Sequence, residues 1–213
     1  PADSGDHFLT VGQQVTAQTL AEVLELPASA GSGPGRLHAS ALVLHQLVPQ
    51  AAALQPLLAR WGVPIIPTFA AAESEPGALR RTLAAMGAGA AVLKPTIGLG
   101  AAYTRRVPLD ELEGALAGLS AEQPAQEYLI QPFIESVVSE GEWSFVYFNR
   151  QLSHVLLKTP APDDFRVQGI YGGRIALAAP SPGDRLQAEA VLAALPFDLL
   201  YARLDFLRVA GRL

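Results

Sequence analysis

The chain has 213 residues, half of them hydrophobic and 16% charged, with a formal net charge of −5 and no cysteine. That is the composition of a folded protein able to bury a substantial core, as one large domain or two small ones. It excludes disulfides, cysteine-ligated zinc and a cysteine nucleophile, and the scattered Lys and Arg argue against nucleic acid as a partner.

The four histidines (His7, His38, His45 and His154) show no metal-ligand spacing. The richest apolar run, 41–61, is interrupted by His45, Gln46, Pro49, Gln50, Gln55 and Pro56, so no membrane span is expected. The amino terminus lacks a basic-then-apolar pattern. These features together predict a cytoplasmic protein without membrane contact.

In chain order, residues 16–26 have helical spacing and 27–35 collect Ala, Ser, Gly and Pro as a linker. A second helical pattern covers 40–61, and 62–68 reads as a helix stop followed by a short buried strand. The spacing of Leu79, Leu83 and Met86 predicts a helix over 75–86, ended by Gly87 and Gly89, with a strand at 90–94 after it. A helix is predicted over 108–119, with Pro108 near its start and acidic residues in its first turn. Three strands follow at 128–133, 143–148 and 152–158, then a helix at 184–195 and a strand at 199–209. Consecutive strands in the middle, with helices around them, argue for an α+β fold with largely antiparallel sheets.

Several side chains stand out against this background. Lys94 ends a strand and precedes Pro95; a lysine buried there needs a partner, and a polyphosphate suits it. The following loop contains Gly98 and Gly100, which permit close backbone approach to phosphates. It fits neither the Walker pattern nor the dinucleotide fingerprint. Gln131-Pro132-Phe133-Ile134, between two strands, is a linker that can hold a purine through backbone groups and apolar cover. Glu142 is placed to accept ribose hydroxyls, with Glu140 as a substitute. Lys158, Arg166 and Arg174 form a cationic series, the last two flanking Gly172-Gly173; their forked guanidinium groups suit phosphate and carboxylate oxygens. Asp205 lies on an otherwise apolar strand, where a carboxylate needs a metal or an ion-pair partner such as Arg203 or Arg208.

The ordered set Val92-Leu93-Lys94-Pro95, Gln131-Pro132-Phe133-Ile134, Glu140-Gly141-Glu142, Phe165-Arg166-Val167-Gln168, Gly172-Gly173-Arg174 and Ala202-Arg203-Leu204-Asp205 resembles the ATP-grasp superfamily. The likeness is to the branch with glutathione synthetase and the cycloserine-forming cyclo-ligase, and runs from about Trp61 to the last residue. It implies two α+β subdomains gripping ATP, over 61–213, preceded at 1–60 by part of a small α/β domain. It implies that Lys94, Gly98, Gly100, residues 131–134 and Glu142 bind the nucleotide. It implies catalytic roles for Lys158, Arg166 and Arg174, and Mg²⁺ (with Mn²⁺ as an alternative) on Asp205. The expected reaction is ligation of a small carboxylate, an amino acid or peptide derivative, to an amine through an acyl phosphate. A homo-oligomer is compatible with the resemblance.

The chain departs from the pattern in two places. The remaining metal ligands of the family belong directly after Gly211-Arg212-Leu213, and no lysine lies within 50–58, where relatives often carry a second phosphate-binding one. The chain therefore reads as a fragment, and a non-catalytic nucleotide-binding module is the alternative.

Overall fold

The computed structural model describes residues 65–96, 100–122, 127–195 and 199–213. The expectations for 1–60, the helical patterns at 16–26 and 40–61, and Gly98 lie outside those residues. The elements are β1 (Phe69–Ala70), a 3-10 turn (Ala71–Glu73), α1 (Pro76–Ala85), β2 (Ala90–Pro95), β3 (Arg105–Pro108), α2 (Leu112–Glu122), β4 (Tyr128–Pro132) and α3 (Ser136–Ser139). They continue with β5 (Glu142–Phe148), β6 (Gln151–Thr159), a 3-10 turn (Gly169–Tyr171), β7 (Arg174–Leu177), α4 (Pro182–Ala194) and β8 (Tyr201–Phe206). Two four-stranded sheets result, β1-β4-β2-β3 and β7-β6-β5-β8, and every pairing in them is antiparallel. The expected α+β class with antiparallel sheets holds.

Each sheet is two-faced because side chains alternate along a strand. In the first sheet Ala91, Leu93, Val107, Tyr128 and Ile130 pack against Leu79 and Leu83 of α1 and Leu112 and Leu119 of α2. In the second, Phe145, Tyr147, Val155 and Ala202 pack against Ala188, Val191 and Leu192 of α4. The residues between these positions are therefore turned away from the helices. A third cluster (Ala90, Val92, Phe133, Val137 and Val167) covers part of the first sheet's other face.

Local chemistry sets the element ends. Glu75 caps α1 by accepting from the amides of Gly77 and Ala78 at 2.8 and 2.6 Å, with Pro76 in the first turn. Ser181 and Asp184 form a reciprocal capping box on α4. The two-residue turn Asn149-Arg150 joins β5 to β6 with φ of 47° and 61°, as a tight hairpin with right-handed twist requires. Arg150 then donates to the carbonyls of Leu192 and Leu195 at the end of α4.

Three expectations are corrected. Residues 65–68 form no strand; the short strand is β1, half-buried, beginning after Pro67, which has no amide to donate. Pro108 does not open a helix but ends the edge strand β3, where a missing donor is tolerated, and α2 starts at Leu112. The last strand stops at Phe206 instead of continuing to Val209. β7 is an addition for which no strand was expected.

The linker from β4 to β5 carries the chain from one sheet to the other. It closes on Gly141, whose φ is +116° and where a Cβ would stand 2.5 Å from the backbone oxygen of Lys158. Gly141→Ala is expected to destabilise the fold by about 3 kcal/mol, read by urea unfolding. Gly118→Ala, on α2 with nothing within 4 Å of the added carbon, is the control and should gain roughly 0.5–1 kcal/mol. Equal effects at the two positions would refute the close-approach argument.

Candidate active site

The polar face of the second sheet is built by register. Glu142 lies opposite Lys158, and Ser144 lies opposite Asp205. Because 142 and 144 share a face of β5, as do 203 and 205 on β8, these two rows bring Glu142, Ser144, Lys158, Arg203 and Asp205 together. Lys158 Nζ donates to Glu142 Oε1 at 2.7 Å and approaches Asp205 Oδ1 at 3.4 Å. Arg203 grips both Asp205 oxygens, Nε at 3.0 and 3.1 Å and Nη2 at 2.9 Å. Ser144, fully buried, donates its hydroxyl to Asp205 Oδ1. Burial pushes the Asp205 carboxyl up, but Lys158, Arg203 and the Ser144 hydroxyl together outweigh it and hold the group below the usual carboxylate range.

The first sheet contributes Lys94, on the face away from α1 and α2. Its ammonium donates to Gln131 Oε1 at 2.6 Å, Gln131 Nε2 donates to Thr68 Oγ1 at 2.7 Å, and Thr68 donates to the Ile66 carbonyl at 3.0 Å. Burial pushes the Lys94 pKa down, and the charge of Glu142 on the second sheet opposes that shift. Three cations (Lys94, Lys158 and Arg203) accompany two carboxylates, a surplus of positive charge suited to a polyphosphate.

The other expected residues are placed as follows. Glu140 accepts from Trp143 Nε1 and from Arg208 Nε, and so is held apart from the cluster that contains Glu142. Gln131 and Pro132 end β4. The Phe133 amide donates to the Ala90 carbonyl, and the Ile134 carbonyl accepts from Val137. The Phe133 ring is buried, edge-on to Phe165 at 5.7 Å, with the Arg106 guanidinium 4.0 Å over its face. Gly100 is exposed with φ of +62°.

Arg166 does not join the cluster. It pairs with Asp164 through Nε and Nη2 and stacks on Tyr171 at 3.5 Å. That pair holds the Asp164 carboxyl at about 2, chiefly through the Arg166 hydrogen bond. Arg166 also lines an open cavity of about 450 Å³ beside β3, with Arg105, Arg106, Glu111 and Asp163. Arg174 pairs with Thr159 while Ile175 pairs with Lys158, so Arg174 lies on the opposite face of the sheet from the cluster.

Among the described residues no three His, Cys, Asp or Glu side chains gather as a metal site, and no helix is long and apolar enough to cross a membrane. A lone carboxylate still fits Mg²⁺, which commonly takes one or two carboxylates and fills its other positions with phosphate oxygens and water. The Arg203–Asp205 pair is the ion pair that the sequence offered as the alternative to a metal. Ser144 was not foreseen at this site; the signal available for it was the two-residue spacing 142/144 on a strand.

This arrangement of two antiparallel sheets resembles known structures. The D-cycloserine synthetase DcsG superposes with a TM-score of 0.62 at 27% identity, over 79% of this chain and 60% of that one. The chain has the ATP-grasp fold. A D-alanine–D-alanine ligase from Bacillus anthracis matches with a TM-score of 0.57 at 16% identity, over 80% of this chain and 61% of that one. The ATP-grasp ligase PsnB, bound to a minimal precursor, Mg and ADP, matches at 0.52 and 22%, over 78% of this chain and 47% of that one. This chain therefore spans at most about three fifths of these ATP-grasp proteins. No family model matches the sequence, and no curated protein is significantly similar to it.

Proposed function

We propose that the chain is the nucleotide-binding core of an ATP-dependent ligase that joins a carboxylate to an amine nitrogen. One observation carries this reading. On an ATP-grasp fold, Lys158 stands between Glu142 and Asp205 on the face of the second sheet turned away from α4. In this reading Lys94, Gly98, Gly100 and residues 131–134 hold ATP, Glu142 holds its ribose, and Asp205 holds Mg²⁺, with Mn²⁺ able to replace it. Lys158 and Arg203 neutralise the transferring γ-phosphoryl. Arg166 and Arg174 stand outside this cluster.

The chemistry needs no covalent enzyme nucleophile. The substrate carboxylate attacks the γ-phosphorus and ADP leaves. The amine then attacks the acyl carbon, phosphate leaves, and the nitrogen loses a proton. Positioning and charge neutralisation supply the rate. The solved neighbours named for D-cycloserine, D-alanine and a peptide precursor favour an amino acid or small peptide derivative as the acid. A cytoplasmic location follows from ATP as substrate.

The test is phosphate release with ATP and Mg²⁺, offering amino acids, ureido-amino acids and small peptides in turn. Lys94→Ala should weaken ATP binding by on the order of a hundredfold, since charge-assisted phosphate contacts are among the strong ones. Release that depends on one carboxylate and is lost in the variant supports the ligase. ATP binding that depends on Lys94 without release with any substrate points to a non-catalytic module. Binding that ignores Lys94 refutes the site.

A further inference from the structure

Ser144 sits in the middle of β5, fully buried, yet on the polar face of its sheet between Glu142 and Val146. Packing alone does not call for a hydroxyl there, because a buried strand position is served as well by an apolar side chain. What the hydroxyl does is donate to Asp205 Oδ1 across the β5–β8 ladder. The other donors to Asp205 are Arg203, from the same strand, and Lys158, from β6. Both are long cations with several free torsions, and both are assigned above to phosphate. Ser144 has a single side-chain torsion before its oxygen and is walled in on every side. Of the three donors it is the one whose side chain has the least freedom to leave Asp205.

We propose that Ser144 is a positioning residue for the metal-binding carboxylate: its buried hydroxyl fixes the rotamer of Asp205 and keeps that carboxylate in place for a divalent cation. The inference rests on the assignment of Asp205 as the metal ligand made above. Hydrogen-bond partners of a ligand set its orientation, and losing one costs tenfold or more in metal affinity. A residue that only tied β5 to β8 would have no selective effect on metal.

The experiment measures Mn²⁺ binding from the loss of its free-ion paramagnetic resonance signal, with a non-hydrolysable ATP analogue present. Wild type, Ser144→Ala, Ser144→Thr and Asp205→Asn are compared, and metal-free binding of the analogue is measured for each. Ser144→Ala should weaken Mn²⁺ binding on the order of tenfold, keep metal-free nucleotide binding at the wild-type level, and be rescued by Ser144→Thr. If Ser144→Ala binds Mn²⁺ normally while Asp205→Asn does not, the positioning role is overturned and the metal ligand stands. If Asp205→Asn also binds normally, both assignments fall. If Ser144→Ala weakens metal-free nucleotide binding by the same factor, the residue is structural and the proposal fails.

Discussion

Lys158→Met is expected to lower ATP-dependent phosphate release on the order of a hundred- to a thousandfold, the usual effect of deleting one preorganised donor to a developing charge. Methionine keeps most of the apolar stem and removes only the ammonium. The folded state loses the 2.7 Å contact to Glu142 and the 3.4 Å approach to Asp205. Asp205 keeps Arg203 and Ser144, and Glu142, with a quarter of its side chain exposed, keeps water. The thermal midpoint should therefore move by only a few degrees while kcat collapses. Steady-state release paired with a thermal melt separates the two effects. A kcat within threefold of wild type would remove Lys158 from the phosphoryl-transfer machinery.

Arg208→Ala should destabilise the fold by about 3 kcal/mol, because it strands a buried charge. Arg208 donates to both oxygens of Asp184 at 2.8 and 3.0 Å and to both of Glu140 at 3.0 Å. The Asp184 side chain is only 6% exposed. The Arg208 hydrogen bonds, with help from Ser181, hold its carboxyl at about 2, below the ordinary 3.8. A carboxyl with a depressed folded pKa stabilises above its unfolded pKa and ceases to do so as pH falls through the folded one. That contribution, about 2 kcal/mol, is present above pH ~4 and lost towards pH ~2. Urea unfolding at pH 7 and along an acid series should show the loss in wild type and a weaker acid dependence in Arg208→Ala. A change below about 1 kcal/mol at pH 7 would mean that the network is not holding α4 to the inter-sheet linker.

Much of the architecture could be read from periodicity. The Leu79/Leu83 spacing located α1, because that helix buries one face, and strand-like runs of apolar and aromatic residues located β5 and β6. β7 escaped because all four of its residues are exposed, so it carries no burial pattern to detect. Pro108 misled because the same residue suits the first turn of a helix and the end of an edge strand, and only the neighbouring ladder decides between them. At the site, Lys94, Lys158 and Asp205 were legible as charges on strands, and Glu142 as a carboxylate in the linker before one. The Arg203–Asp205 pair was legible from its two-residue spacing, whereas Ser144 was not, since its role depends on which residue of one strand faces which residue of another. The face on which Arg174 lies was not legible for the same reason: the return path from β6 to β7 sets its parity, and no local pattern reports that path.

The ladder between β5 and β6 is regular from Glu142 to Val146 and shifts only between Val146 and Tyr147, next to the hairpin turn. That placement divides the hairpin into two regimes of evolutionary tolerance. Length changes near residues 149–150 can be taken up by the irregularity already there. A single residue gained or lost between 142 and 146 would invert the strand and send Glu142 and Ser144 to the helix-packed side. Descendants of this sequence can vary the tip freely in length, but can vary the site only by substitution.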